Sequence, residues 1–222
     1  MTLPSQLFFL PGASGNTDFW KPTARLLRHP AAHMHFGWPG FGATPPDASI
    51  QGIEDLAEKV IAEINQPTAL IAQSMGGAIA LLAASRRPQW ITHLVLTVTS
   101  GGMDISDLGA QDWRPSFTEA NPELPRWFID SRLDLTPALP CIQAPTLLLW
   151  GDADPISPVA IGQRLATLLP RAQLHVFAGG DHDLGHALAH DVAPLIDAHL
   201  ETATFMRKNA HPGKHRYERT PL

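Results

Sequence analysis

Three side chains able to take part in nucleophilic chemistry, Ser74, Asp154 and His182, each stand just after a short apolar run. Around Ser74 the chain reads Leu70-Ile71-Ala72-Gln73-Ser74-Met75-Gly76-Gly77-Ala78-Ile79-Ala80-Leu81-Leu82. The first four residues have the character of a strand buried on both faces, and the last six that of a helix rich in Ala and Leu. A chain that passes from strand to helix through a single residue must turn sharply. Small neighbours at Ala72, Gly76 and Gly77 are what such a turn requires, because longer side chains would collide across it. Each glycine costs a helix about 1 kcal/mol relative to Ala, so a steric reason for the pair is expected. The hydroxyl of Ser74 would then stand above a sheet edge at a helix N-terminus, where free N–H groups favour negative charge. The alternative is a serine that only caps the helix.

The other two candidates follow the same rule. Gly151-Asp152-Ala153-Asp154-Pro155-Ile156-Ser157-Pro158 comes directly after the run Thr146–Trp150, and a carboxylate there can hold a histidine in one tautomer. Asp152, and Asp154 before its proline, also suit a turn. His182 lies in Ala178-Gly179-Gly180-Asp181-His182-Asp183-Leu184, between the last apolar run and the last helical pattern. His182, His186 and His190 are four apart, the spacing of a metal-binding helix face. No carboxylate or cysteine cluster accompanies them, so no metal is assigned and the latter two read as surface.

The elements that must position these groups alternate along the chain. Strands are expected at Leu7–Leu10, His33–Phe36, Leu70–Gln73, Leu94–Val98, Thr146–Trp150 and Leu174–Phe177. A helix capped by Thr17 or Asp18 and running through Trp20, Leu26 and Leu27 follows the first strand. Further helices are expected at Ile53–Ile64, after Ser74, at Val159–Leu169 and at Leu184–Leu200. Residues 101–140 read as irregular, with several prolines and the aromatics Trp113, Phe117, Trp127 and Phe128. Apolar strands alternating with helices imply an α/β fold, a mostly parallel sheet of about six strands covered on both faces. Ligands of such sheets bind beyond the carboxyl ends of the strands, which is where all three candidates fall.

Composition narrows the partners. At 222 residues the chain suits one α/β domain, and the apolar fraction of 44% excludes wholesale disorder. A net charge of −5 argues against nucleic acid. The lone Cys141 permits no internal disulfide, which favours a reduced, cytoplasmic setting, and no run reaches transmembrane length. Residues 1–204 are expected to form the domain, and residues 205–222 a basic tail with Arg207, Lys208, Lys214, Arg216 and Arg219, docked on the body, on a second subunit of a homo-oligomer, or simply solvated.

The Ala72-Gln73-Ser74-Met75-Gly76 stretch resembles the G-x-S-x-G nucleophile elbow of the α/β-hydrolases, with Ala72 in place of the first glycine. The resemblance spans about residues 7–200 in the order Ser, Asp, His. It implies Ser74 as nucleophile, Asp154 as orienting acid and His182 as general base. Asp104 is the alternative acid one strand earlier, and His186 the runner-up base. By the same resemblance the loop Pro11-Gly12-Ala13 contributes the Ala13 N–H to an oxyanion hole shared with the Met75 N–H. The family's usual histidine in this loop is Pro11 here. Gly37-Trp38-Pro39-Gly40-Phe41-Gly42 is similar to the loop after the family's next strand, with Gly37 in place of an acid.

The resemblance further implies a compact fold without the early antiparallel strands of larger relatives, and a short lid at residues 101–140. Trp38, Trp113, Phe117 and Trp127 would line an apolar pocket, unless they are core filler. The implied activity is that of a small serine esterase, with a carboxylic ester as default substrate; a thioester, amide, lactone or C–C bond beside a ketone stays open. No cofactor or metal is required. A catalytically silent ligand-binding member, and an acyltransferase or perhydrolase using the same three residues, remain as alternatives.

Overall fold

A computed structural model describes residues 2–130 and 133–202 of the chain. Six strands form one sheet: β1 (Gln6–Leu10), β2 (Ala32–His35), β3 (Thr68–Gln73), β4 (Ile91–Thr97), β5 (Thr146–Gly151) and β6 (Ala172–Phe177). Their order is β2-β1-β3-β4-β5-β6, and all five pairings are parallel. Every residue of β1, β3, β4 and β5 is buried, as continuous apolar runs require, whereas β2 and β6 at the edges carry exposed positions. The chain leaves β1 to one side to form β2 and returns on the other side to form β3. The order therefore reverses between β1 and β3, and the crevice at their carboxyl ends is where such sheets bind ligands.

Helices cover both faces. On one side α1 (Lys21–Leu26) packs against α7 (Leu184–Ala187) and α8 (Ala189–Leu200). On the other, α2 (Ile53–Glu63) packs on α3 (Met75–Arg86), and α6 (Val159–Leu168) meets α3 where Leu165 and Leu81 close on Gly101. The α2 helix buries Ile53, Leu56, Ala57, Val60 and Ile61, the stripe its spacing predicts. By contrast α3 is buried over ten consecutive residues, Met75 to Ala84, which explains why that stretch holds only apolar side chains and glycine.

Three local expectations change. Helix α1 begins after Trp20, so neither Thr17 nor Asp18 caps it; Asp18 pairs with Lys21 at 2.5 Å instead, and Pro22 sits in the first turn, where its missing N–H costs nothing. The expected helix over Leu184–Leu200 is broken at Leu188, which has φ −103° and ψ 34°. Thr23 donates its hydroxyl to the carbonyl of Gly185 at 2.5 Å, taking the acceptor that a continuous helix would offer to residue 189. Residues 101–140 are less irregular than expected, with α4 (Arg114–Ala120), α5 (Arg126–Asp130) and the start of a short 3-10 turn at Leu139–Cys141. The basic tail at 205–222 lies outside the described residues. Among those described, no helix is long and apolar enough to cross a membrane.

Two histidines are packed into the floor of the sheet. His93 in β4 donates from Nε2 to the carbonyl of Thr202 at 2.9 Å, and His199 in α8 donates from Nε2 to that of Leu94 at 3.1 Å. Their rings meet edge to face at 5.1 Å. Burial favours the neutral form of both, lowering His93 and pushing His199 down to about 4.

Candidate active site

Ser74 occupies the junction of β3 and α3 with φ 51° and ψ −119°, a conformation that L residues other than glycine rarely adopt. Three hydrogen bonds hold it there. Its N–H donates to Thr97 O at 3.0 Å, while its carbonyl accepts from Gly77 N at 2.9 Å and from the hydroxyl of Thr99 at 2.6 Å. Val98, with φ 43°, turns the chain after β4 and so brings Thr99 beneath the serine. Both glycines of the helical turn are explained by space. A β-carbon on Gly76 would lie 2.6 Å from the carbonyl oxygens of both Leu10 and Pro11, and one on Gly77 would lie 2.5 Å from the Thr99 hydroxyl. Ala72 is still within regular β3, opposite Leu10 and Leu96, so a methyl group is tolerated where the elbow pattern has glycine.

The loop after β1 runs directly over this turn. A β-carbon on Gly12 would strike Gln73 Oε1 and come within 3.1 Å of Ser74 Cβ. The carbonyls that lead into the loop are gripped by two indoles: Trp20 Nε1 donates to Leu10 O at 3.1 Å, and Trp38 Nε1 to Pro11 O at 2.9 Å. Ala13 follows on this braced segment. Met75 opens α3, where a backbone N–H has no acceptor within the helix.

Asp154 and His182 are in contact. His182 Nδ1 lies 2.7 Å from Asp154 Oδ2, and the carboxylate side chain is wholly buried. Its other oxygen, Oδ1, accepts from Ile156 N at 2.8 Å and Ser157 N at 3.1 Å, so the charge is met by fixed donors on both sides. With Nδ1 engaged, Nε2 is the ring nitrogen left for a second partner. The loops carrying the two residues are joined along their length. Asp152 Oδ1 accepts from Gly179 N at 2.6 Å, Ala153 N donates to Gly180 O at 3.0 Å, and a β-carbon on Gly151 would collide with the Gly180 carbonyl. The histidine loop reaches the serine turn through Gln73, whose Nε2 donates to the His182 carbonyl at 3.1 Å.

The alternatives from sequence lie elsewhere. Asp104 is exposed and accepts from Ser106 N at 3.0 Å, a bond that holds its carboxyl below the usual range. His186 donates from Nδ1 to Phe19 O at 2.9 Å.

The four aromatics separate into two places. Trp113, Phe117 and Trp127 are half-buried around Phe128, with centroids 5.4, 6.2 and 6.2 Å from it, and Phe128 stands edge-on to the fully buried Phe41 at 5.2 Å. Trp38 is apart from them, buried under the Pro11 carbonyl beside Phe36. The insertion is also tied to the acid loop, by Gln111 N to Pro155 O at 2.8 Å, and to α6 by the paired bonds of Arg164 to Asp107 at 2.8 and 2.9 Å. Gln73, Thr99 and the bracing role of Trp38 had no sequence signal of their own; Gln73 and Trp38 lay inside motifs already marked, and Thr99 did not.

Comparison with known proteins agrees with this architecture. The sequence model of the alpha/beta hydrolase family matches residues 7–128. The chain is 23% identical over 235 residues to the serine hydrolase BPHL of Mus musculus, covering 88% of this chain and 79% of that protein. It is 25% identical over 210 residues to a pimeloyl-[acyl-carrier protein] methyl ester esterase of Chromobacterium violaceum, covering 74% and 82%. Among solved structures, a thermophilic esterase from Thermogutta terrifontis superposes with a TM-score of 0.71 at 18% identity, covering 88% of this chain and 89% of that one.

Proposed function

The chain belongs to the alpha/beta hydrolase family, and on that premise we propose that it is a serine hydrolase that cleaves a small carboxylic ester. The observation that carries the reading is the buried Asp154 bound at 2.7 Å to His182, on a loop tied through Gln73 to the strained Ser74. In this reading Nε2 of His182 takes the proton of Ser74 as Oγ attacks the carbonyl carbon, and Asp154 stabilises the imidazolium. The carbonyl electron pair moves onto oxygen, where the N–H groups of Ala13 and Met75 receive it; each such donor is worth roughly 3 kcal/mol where it has been probed. The imidazolium then protonates the departing alcohol. Water, activated by the same histidine, releases the acid from Ser74.

Intact-protein mass after fluorophosphonate treatment tests the assignment without knowledge of the natural substrate. The parent is expected to gain one adduct and Ser74→Ala none. An unlabelled, folded parent, or a labelled Ser74→Ala, would remove Ser74 as nucleophile.

A further inference from the structure

We propose that Gln73 is a positioning residue that sets the histidine loop and the oxyanion loop against the nucleophile. The inference rests on the serine hydrolase reading. Gln73 ends β3 after the fully buried Leu70, Ile71 and Ala72, and it is itself buried, with 5% of its surface exposed. A carboxamide in such a place is costly unless its polar atoms are used. Both ends meet catalytic segments: Nε2 donates to the carbonyl of His182 at 3.1 Å, and Oε1 fills the space beside Gly12 where the β-carbon of a side chain would sit. Its own carbonyl carbon is bonded to the nitrogen of Ser74.

One residue therefore links the nucleophile, through its main chain, with the base and the loop of the Ala13 donor, through its side chain. Its bond to His182 is made to the main chain, so it fixes where the residue starts, while Asp154 at Nδ1 fixes where the ring ends. Held at both points, the ring has one direction left for Nε2. The contact with Gly12 acts likewise on the peptide that precedes Ala13. Both groups serve the tetrahedral transition state more than the bound ester, so losing the carboxamide lowers kcat and leaves KM.

The test compares the parent with Gln73→Met, which keeps the length without the polar atoms, and Gln73→Glu, which replaces the donor to His182 by an acceptor. Hydrolysis of p-nitrophenyl acetate is measured together with inhibition by 1,1,1-trifluorobutan-2-one, whose carbonyl carbon is attacked by Ser74 to give a tetrahedral oxyanion while the proton passes to His182. In both variants kcat is expected to fall about 10- to 100-fold, with KM held within about twofold. The inhibitor should weaken by the same factor as kcat/KM, which a merely structural role would not produce. A folded variant with the parent's kcat, a loss confined to KM, or failure of both variants to fold overturns the assignment. If the parent forms no fluorophosphonate adduct, the hydrolase reading falls and this proposal with it. If the parent forms one and the variants turn over normally, only this proposal falls.

Discussion

The indole N–H of Trp38 holds the carbonyl oxygen of Pro11 at 2.9 Å, from beneath the loop that passes over Ser74. The loop has proline where the family resemblance leads one to expect a bracing histidine, and the brace comes instead from a tryptophan 27 positions away. Trp38→Phe keeps the apolar ring and removes the donor, leaving a buried carbonyl unpaired at about 1–3 kcal/mol. Urea unfolding should show that loss. Hydrolysis of p-nitrophenyl acetate should fall mainly in kcat, because the peptide before Ala13 is no longer held.

Asp154 and Asp104 differ in surroundings more than in sequence context. One is buried against His182, and the other is exposed and bonded to Ser106. Asp154→Asn should lower kcat by about four orders of magnitude, because the histidine loses the charge that fixes its tautomer and stabilises its protonated form. Asp104→Asn should leave turnover where it was. Steady-state kinetics of the pair checks both, and the reverse result would assign the acid to the earlier strand.

Gly76 stands with its α-carbon against two carbonyls. Gly76→Ala in a free helix would add about 1 kcal/mol of stability. Here the methyl group meets Leu10 O and Pro11 O at 2.6 Å. A net loss of about 1–3 kcal/mol is expected, as for other overpacked sites, together with loss of activity as the loop is pushed off the turn. Thermal unfolding and ester hydrolysis of the variant measure the two effects.

Stability should fall on mild acidification through His93 and His199. Both pKa values are lowered chiefly by burial; the facing His93 ring pushes His199 the same way, His29 does so for His93, and Arg171 for both. His199 titrates at about 4 in the fold against an ordinary 6.5, so between these values the unfolded chain binds more protons. The contribution is fully present above pH 6.5 and is lost as pH falls toward 4, an amount of roughly 3 kcal/mol. The bonded carboxylates Asp47 and Asp104 are shifted downward too, so their effect falls at lower pH. Urea midpoints at pH 7.5 and 4.5 should differ strongly for the parent and less for His199→Gln.

Much of the fold was legible because strand and helix signals are local. The runs around Leu7, Leu70, Leu94 and Leu147 are short and apolar on both faces, as interior parallel strands must be. Sequence was silent where a distant group intervened. Nothing near Leu188 announces the break between α7 and α8, where the Gly185 carbonyl accepts instead from a hydroxyl on Thr23, 162 positions earlier. Nothing around Trp38 separates it from Trp113, Phe117 and Trp127, since an aromatic side chain has the same pattern whether it braces a carbonyl or joins an apolar cluster.

By itself the sequence determined the alternation of elements, the sharp turn at Ser74, the placement of Asp154 and His182 after strands, and a net charge of −5. These follow from steric limits, periodicity and composition, which act between neighbours or over the whole chain. Only the tertiary structure decided which loops meet. The strand order reverses between β1 and β3, and that reversal lays Gly12 over Ser74. The neighbouring strands β5 and β6 let Gly179 reach Asp152 across 27 positions, and Gln73 meets His182 across 109. Such bonds depend on strand order and register, which are set by packing the whole core and leave no mark on the residues that happen to touch.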